Sequence, residues 1–424
     1  MEKITRLHNK RIILAVTGSI AIYKAIDLAS KLTQAGALVD VIMTDAAQKF
    51  IAPITFQAVT GRPVYTNLWQ ADSSGGLPTH IAHVGLGEGA DCIAIMPSTA
   101  NTMAKLANGL ADDLLTVTAL AARCPILIAP AMDGGMYEHP ATQANVKTLV
   151  ERGVYLVEPE IGRFASGLEG RGRLPDTPTL MGHIRRVLGQ SGALQGKRIV
   201  VSAGPTRESF DPVRFISNHS SGKQGYAIAQ AAIDAGADVT LISSVNLPTP
   251  IGAVLIKIDS AQDLLEAVRQ SIIEQTADSL IMAAAVADFR PAQRTEQKIK
   301  KQGDDEGLSI ILARNPDILK TIHNLRQNPS DLSAMQQQHL AQLRVLVGFA
   351  AESENLLINA QDKVQRKGLD FIVANDISAT DAGFAVDQNR VVFLHHDGTQ
   401  ETFDLMPKSH VAEHIINRVA QLLD

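Results

Sequence analysis

The sequence predicts an α/β protein of two doubly wound open-sheet domains. Three observations carry this. Short, near-continuous apolar runs alternate with helix-patterned segments, as in parallel strands buried on both faces. The alternation stops at a Gly-, Ser- and Gln-rich stretch, Arg185 to Lys197, and then starts again. A chain of 424 residues is long enough for two or three such domains. The expected domains are residues 1–192 and 193–424.

The elements follow in order. Arg11 to Thr17 is an apolar run ending at Gly18, and a helix pattern over Ile20–Gln34 stops at Gly36. Leu38–Met43, Cys92–Met96, Pro125–Ala129 and Val154–Val157 are further strands, with helical segments between them. After the linker come strands at Arg198–Ser202, Asp238–Ser243, Ser279–Ala284, Arg344–Gly348 and Asp370–Ala374. Arg390–His395 and Thr399–Leu405 straddle an HDGTQ turn and read as a hairpin. Ser409–Leu423 closes the chain as an amphipathic helix, and Gly303–Gly307 reads as a mobile loop.

Composition narrows the class. The chain is 45% hydrophobic and 20% charged with a formal charge of −5, so no basic field points to nucleic acid. Cys92 and Cys124 lie in apolar runs and read as buried strand cysteines, not as a disulfide framework or metal motif. The apolar stretch near the N-terminus is too short for a signal peptide or membrane span, so a cytoplasmic location is expected.

The most informative segment is Ala203–Gly225, AGPTRESFDPVRFISNHSSGKQG, between an apolar strand and a helix at Tyr226–Ala235. A helix N-terminus after a strand presents unpaired N–H groups and a positive dipole end, an anion site. This loop is about twenty residues long, where a dinucleotide loop is tight. It carries Arg207, Arg214, Asn218, His219, Ser220, Ser221 and Lys223, donors that suit a phosphorylated ligand. It is not a Walker A loop: Ser217 replaces the first glycine and Gln224 follows the lysine.

Other segments fit small-molecule chemistry. Gly18, Ser19, Ile20 and Ala21 form a small-residue strand-to-helix turn open to a phosphate. Ser98, Thr99 and Asn101, in PSTAN directly after a strand, offer hydrogen bonds to a phosphate or ring. Asp288, in AAAVADF, stands just past a strand, where open sheets place ligands. Lys298, Lys300 and Lys301 cluster in QKIKKQ, and Lys363 and Lys367 share a helix face. Those lysines together could neutralise a triphosphate.

On these motifs the second half resembles the CTP-dependent phosphopantothenate–cysteine ligases, and the first half resembles the flavin-dependent phosphopantothenoylcysteine decarboxylases. The order matches the bifunctional bacterial coenzyme A biosynthesis enzymes, and the likeness covers almost the whole chain. The resemblance implies an FMN site at Gly18, Ser19, Ile20, Ala21, Thr44, Ser98, Thr99 and Asn101. It implies a CTP site at Ala283, Ala284, Asp288, Lys298, the Asn315-Pro316-Asp317-Ile318 segment, Phe349, Lys363 and Lys367, with Mg²⁺ on the triphosphate and no metal ligands named. His83 aligns with the family's catalytic histidine; His80 lies three residues earlier, and spacing to Ala90–Asp91 selects His83.

In the resembled decarboxylases, flavin oxidises the cysteinyl thiol to a thioaldehyde, whose C=S lies beta to the carboxylate and accepts the electrons released with CO₂. The reduced flavin then returns the two electrons to the enethiol. In the resembled ligases the substrate carboxylate attacks the CTP α-phosphate, and the cysteine amine displaces CMP from the acyl-cytidylate. Asn218 matches the residue tied to that second step, and Lys298 is expected to assist the chemistry.

Two positions depart from the family pattern. The usual Pro-Ala-Met-Asn reads Pro130-Ala131-Met132-Asp133, which replaces an amide donor with a carboxylate. The usual Ala-Cys-Gly reads Ala165-Ser166-Gly167, so the last protonation falls to Ser166, Glu169 or water. The expected partners are 4′-phosphopantothenate, cysteine and CTP, with no nucleic acid and no membrane. The family also implies a homo-oligomer built on trimers, with a dodecamer as the larger form. Two other readings compete: a ligase whose N-terminal half only binds FMN, and an NAD(P)-dependent reductase, against which the lack of a G-x-G-x-x-G element speaks.

Overall fold

A computed structural model describes residues 4–69, 82–163, 167–300, 308–352, 356–376 and 386–424. The chain divides into two compact units, Met1–Gly189 and Gln190–Asp424.

The first unit runs β1 (Arg11–Val16), α1 (Ile22–Gln34), β2 (Leu38–Met43), α2 (Asp45–Gln48), α3 (Pro53–Thr60), β3 (Val64–Tyr65), α4 (Ala82–Gly89), β4 (Cys92–Ser98), α5 (Ala100–Asn108), α6 (Leu114–Ala121), β5 (Ile126–Pro130), α7 (Gly134–Glu138), α8 (Pro140–Glu151), β6 (Tyr155–Leu156), β7 (Glu160–Arg163), β8 (Glu169–Arg173) and α9 (Thr177–Gly189). Its main sheet has the order β3-β2-β1-β4-β5-β6, and every pairing is parallel. Alternation along β1 divides the core. Ile12, Leu14 and Val16 pack toward α1 and α9, while Ile13 and Ala15 pack toward the α4–α8 side. On α1 the buried residues Ile22, Ala25, Leu28, Ala29 and Leu32 recur at helical spacing.

The second unit repeats the plan. It comprises β9 (Arg198–Ala203), β10 (Arg207–Ser209), β11 (Phe215–Ser217), α10 (Lys223–Asp234), β12 (Asp238–Ser243), β13 (Ala253–Lys257), α11 (Ala261–Arg269, continued by one π-helical turn), β14 (Ser279–Met282), β15 (Phe289–Pro291), β16 (Leu312–Arg314), α12 (Ile318–Gln327), α13 (Ala334–Gln342), β17 (Val345–Glu352), α14 (Leu356–Lys367), β18 (Phe371–Asp376), β19 (Gln388–His395), β20 (Gln400–Pro407) and α15 (Lys408–Leu423). The sheet order is β13-β12-β9-β14-β17-β18-β19-β20, parallel through β18 and antiparallel at the β19–β20 edge. Ile199, Val201 and Ala203 pack toward α10 and α15, and Val200 packs toward α11–α14.

Both units therefore reverse strand order at one point, β1/β4 in the first and β9/β14 in the second. The crevice beyond the strand ends at such a point is where open sheets take ligands. The expected fold class holds. Some details differ from the sequence reading. The linker begins later than expected, because Ile184, Val187 and Leu188 are buried and draw α9 on to Gly189. The loop after β9 contains a short antiparallel hairpin, β10–β11. Cys92 is buried on β4, whereas Cys124 precedes β5 and is half-buried; burial raises both thiol pKa values. The proposed mobile loop Gly303–Gly307 lies outside the described residues.

Candidate active sites

In the second unit, Gly204 turns the chain at the end of β9 with φ +86°, and an added Cβ would meet Ser244 Oγ at 2.7 Å. Thr206, fully buried, donates its N–H to the Ala285 carbonyl at 3.1 Å and accepts from the Ala287 N–H at 3.0 Å. These bonds bind the β9 loop to the segment after β14. Asn218 Nδ2 donates to the same Ala285 carbonyl at 2.8 Å.

Asp211 closes the hairpin turn. It accepts from the Val213 and Arg214 N–H groups at 2.8 and 2.7 Å, and from Arg214 Nε and Nη2 at 2.9 and 2.6 Å. Its burial opposes ionisation, but those donors and the Ile299 N–H hold its pKa well below the usual carboxylate range. Arg214 also donates to the Ile299 carbonyl at 2.9 Å, so this pair fixes the segment that carries Lys298.

A cavity of about 430 Å³ opens at the β9/β14 switch. Ala283, Ala284 and Asp288 line it, as do Asn315, Pro316, Asp317, Ile318, Phe349, Lys363, Lys367 and Asn218. Residues far apart in sequence thus converge on one cavity. Lys298 is not among the lining residues. Asp317 caps α12 by accepting from the Lys320 N–H at 3.2 Å, and pairs with Lys367 at 3.1 Å. Asn315 is held by a bond from its Nδ2 to the Ala287 carbonyl at 2.8 Å. The cavity also takes in Asn375, Asn389 and Lys408. The sequence reading assigned no role to the last two, since they come from the antiparallel edge and the start of the final helix.

In the first unit, three strand ends are clasped together. Thr17 donates to the Pro97 carbonyl at 2.8 Å and accepts from the Thr99 N–H at 3.0 Å. Ser19 donates to the Ala131 carbonyl at 3.3 Å, and the Ala131 N–H donates to the Ser98 carbonyl at 3.1 Å. The first β–α turn, PSTAN and PAMD therefore lie side by side. Thr44 and Thr99 are occupied as N-caps of α2 and α5. Asn101 is exposed on the first turn of α5, and His83 is half-buried on α4. A second cavity, about 340 Å³, is lined by Ser19, Ile20, Ala21, Lys24, Asp133, Arg163 and Arg173. Gly18, Thr44, Ser98, Thr99, Asn101 and His83 are not among its lining residues.

Two observations suit a phosphorylated cofactor at this site. The side chain of Ser98 is fully buried, and its Oγ has no hydrogen-bond partner among the described residues. At Gly18 an added Cβ would meet Ala46 Cβ at 2.6 Å, so the turn keeps its backbone bare. Asp133 caps α7 by accepting from the Gly135 N–H at 3.1 Å. Burial and the neighbouring Arg173 lower the Lys24 pKa. Ser166, His80 and Lys301 lie outside the described residues. Among the described residues no group of three His, Cys, Asp or Glu forms a metal centre, and no helix is long and apolar enough to cross a membrane.

The fold defines two open-sheet α/β units, each with a cavity of its own. Residues 1–189 match the Flavoprotein family, and residues 194–423 match the DNA/pantothenate metabolism flavoprotein C-terminal domain. The chain is 42% identical over 420 residues to the coenzyme A biosynthesis bifunctional protein CoaBC of Bacillus subtilis, covering 98% of each. It is 38% identical to the crystallised C-terminal domain of a CoaBC protein, covering 55% of this chain and 98% of that one, with a TM-score of 0.43. It is 30% identical to a PPC decarboxylase cysteine-to-serine mutant complexed with pantothenoylaminoethenethiol, covering 42% of this chain and 97% of that one, with a TM-score of 0.38. The chain belongs to the CoaBC family of bifunctional coenzyme A biosynthesis proteins.

Proposed function

We propose that the second unit joins 4′-phosphopantothenate to cysteine using CTP, and that the first unit decarboxylates the product to 4′-phosphopantetheine with FMN. The domain limits 1–192 and 193–424 separate the two activities. The observation that carries this reading is the convergence of Asn218, Asp288, Asn315 to Ile318, Phe349, Lys363 and Lys367 on one cavity at a topological switch point.

In the ligase half, the substrate carboxylate attacks the α-phosphorus of CTP and pyrophosphate leaves. The cysteine amine then attacks the acyl carbon, CMP leaves with the bonding electrons, and the amine loses its proton to solvent. Lys363 and Lys367 offset the triphosphate charge, and Mg²⁺ enters with the nucleotide. The Asn218 amide has two N–H donors; Ala285 takes one, and the second polarises the acyl carbonyl. Lys298 acts from the segment fixed at Ile299 by Asp211 and Arg214.

In the decarboxylase half, FMN supplies a reversible two-electron oxidation of the substrate thiol. Gly18, Ser19, Ile20 and Ala21 receive its phosphate at the α1 N-terminus, helped by Thr44, Ser98, Thr99 and Asn101. His83 takes the thiol proton. Asp133 spends its carboxylate on the α7 cap, and Arg163 and Arg173 in the same cavity attract the substrate carboxylate. Ser166, Glu169 or water returns the last proton. The resemblance to the decarboxylases supports assembly into a trimer-based homo-oligomer. We place the protein in the cytoplasm.

The test supplies the flavin-loaded full chain with 4′-phosphopantothenate, cysteine and CTP, and measures CMP and CO₂ together. Both products are expected. CMP without CO₂ would support the second reading, a ligase with an altered flavin half, which Asp133 and Ser166 favour. The absence of both products would overturn the assignment.

A further inference from the structure

His83 sits near the start of α4, a helix poorly made to stand alone. Three of its eight residues are glycines, Gly85, Gly87 and Gly89, and glycine is among the weakest helix formers. So short a helix takes its place from its contacts rather than from its own propensity. Gly87, one turn beyond His83, is on the same helix face. An added Cβ there would meet the Thr118 carbonyl oxygen of α6 at 3.1 Å, so α4 lies close against α6.

A second hold on α4 is Arg11. Its Nη1 donates to the Gly85 carbonyl at 3.2 Å, and an added Cβ at Gly89 would collide with the same nitrogen. Gly85 and Gly89 are one turn apart, so a single guanidinium lies along that face. Its charge sits toward the helix C-terminus, the end that favours a cation. Just past α4, Asp91 accepts from the Arg11 N–H at 2.8 Å, and the Asp91 N–H donates to the Arg11 carbonyl at 2.8 Å. Both the main chain and the side chain of Arg11 therefore grip the end of α4.

Arg11 is itself fixed. Its Nε donates at 2.7 Å to Asp40, on β2, whose side chain is fully buried. Along their strands Arg11 and Asp40 fall in step with Ile13, Ala15 and Ile42, which pack with Leu86 of α4. Arg62 Nε and Nη2 donate to the same carboxylate at 2.8 and 3.2 Å. One cation is enough to neutralise a carboxylate. Asp40 has two, and of the two Arg11 is the one that bonds to α4.

We propose that Arg11, oriented by Asp40, is a positioning residue for His83: it sets where α4 stands on the sheet, and so where the imidazole meets the substrate thiol. The assignment rests on the decarboxylase reading above, in which His83 takes that thiol's proton, and adds the residue that places it. Proton transfer needs the base within hydrogen-bond reach, so a small shift of α4 costs rate. An Arg11 that served only as counter-ion to Asp40 would matter to stability and not to proton transfer.

The experiment measures CO₂ release from 4′-phosphopantothenoyl-cysteine by the flavin-loaded full chain, as kcat and KM on both sides of about pH 8.5, the ordinary thiol pKa. Wild type is compared with H83N, R11M, R11K, G89A and R62Q, and amide hydrogen exchange over α4 is read on the same samples. Release by wild type and its loss in H83N secure the reading independently of Arg11. R11M and G89A are expected to lower kcat roughly tenfold to a hundredfold at neutral pH, with KM and bound flavin unchanged. The deficit should shrink above about pH 8.5, where the substrate thiol ionises without help. Exchange over α4 should be faster in R11M. R11K keeps a cation beside Asp40 but lacks the fork that reaches Asp40 and Gly85 together, so it should keep Tm and still lose kcat. R62Q should lower Tm and leave kcat and its pH dependence as in wild type. If R11M does not fold, G89A and R11K decide, since both leave Asp40 with its cations. Wild-type kcat and pH dependence in G89A and R11K, beside an inactive H83N, overturn the Arg11 assignment alone, as does a kcat loss in R62Q equal to that in R11M. No CO₂ from wild type, or full activity in H83N, overturns the reading and this assignment with it.

Discussion

The Asn218 amide and the Ala285 carbonyl oxygen meet at 2.8 Å, tying the loop after β11 to the segment after β14, and both residues line the ligase cavity. That bond fixes the plane of the amide. Asn218→Ala should lower ligation kcat by about a hundredfold, as for loss of one preorganised donor, with the KM for CTP little changed. Single-turnover assays should show acyl-cytidylate accumulating. An unaltered kcat would remove Asn218 from the chemistry.

The two activities should separate at His83. This residue lies on α4 in the first unit. His83→Asn should abolish CO₂ release from added 4′-phosphopantothenoyl-cysteine, leaving bound flavin and pyrophosphate release intact. Retained decarboxylation would move the role to His80 or elsewhere.

Gly18 tests the cofactor cradle. With 2.6 Å between an added Cβ and Ala46, Gly18→Ala must displace the turn or α2. Such overpacking costs about 1–3 kcal/mol. The purified variant should lose much of its yellow flavin absorbance and keep its ligase activity. Full flavin occupancy would show that the turn does not hold the cofactor.

His183, on α9, gives the first unit an acid sensitivity. Burial, assisted by Arg186, lowers its pKa from 6.5 to about 4. The unfolded chain therefore takes up a proton before the native one does. Stability from this group is complete above about pH 6.5, declines as pH falls, and levels off below about pH 4. His183→Gln should flatten the Tm profile of the first unit over that window. Parallel profiles for variant and wild type would contradict it.

Ser166 decides the last proton. A thiol is several pK units more acidic than an alkanol, so Ser166→Cys should speed formation of the saturated thiol. Ser166→Ala should leave the rate close to wild type if Glu169 or water is the donor. A large loss in the alanine variant would establish the hydroxyl as the acid.

Much of the architecture is legible in the sequence because central parallel strands are apolar on both faces. Leu38–Met43 and Asp238–Ser243 read as strands with the same limits as β2 and β12. The short hairpins are not legible. β10, β11, β15 and β16 have three residues each, too few for a period-2 pattern to appear. The nucleotide motifs are readable as local strings after parallel strands. Lys408 and Asn389 are not, because an antiparallel edge and a closing helix bring them to the cavity without any short motif.

Each of the four hydrophobic clusters is assembled from residues of one unit alone. The chain is therefore a pair of self-sufficient machines written in one reading frame. Every act of translation delivers one copy of each, so the ratio between them is set by covalent linkage and not by expression level. A cell that makes this protein cannot overproduce the carboxylated intermediate by making too much of the ligase and too little of the decarboxylase.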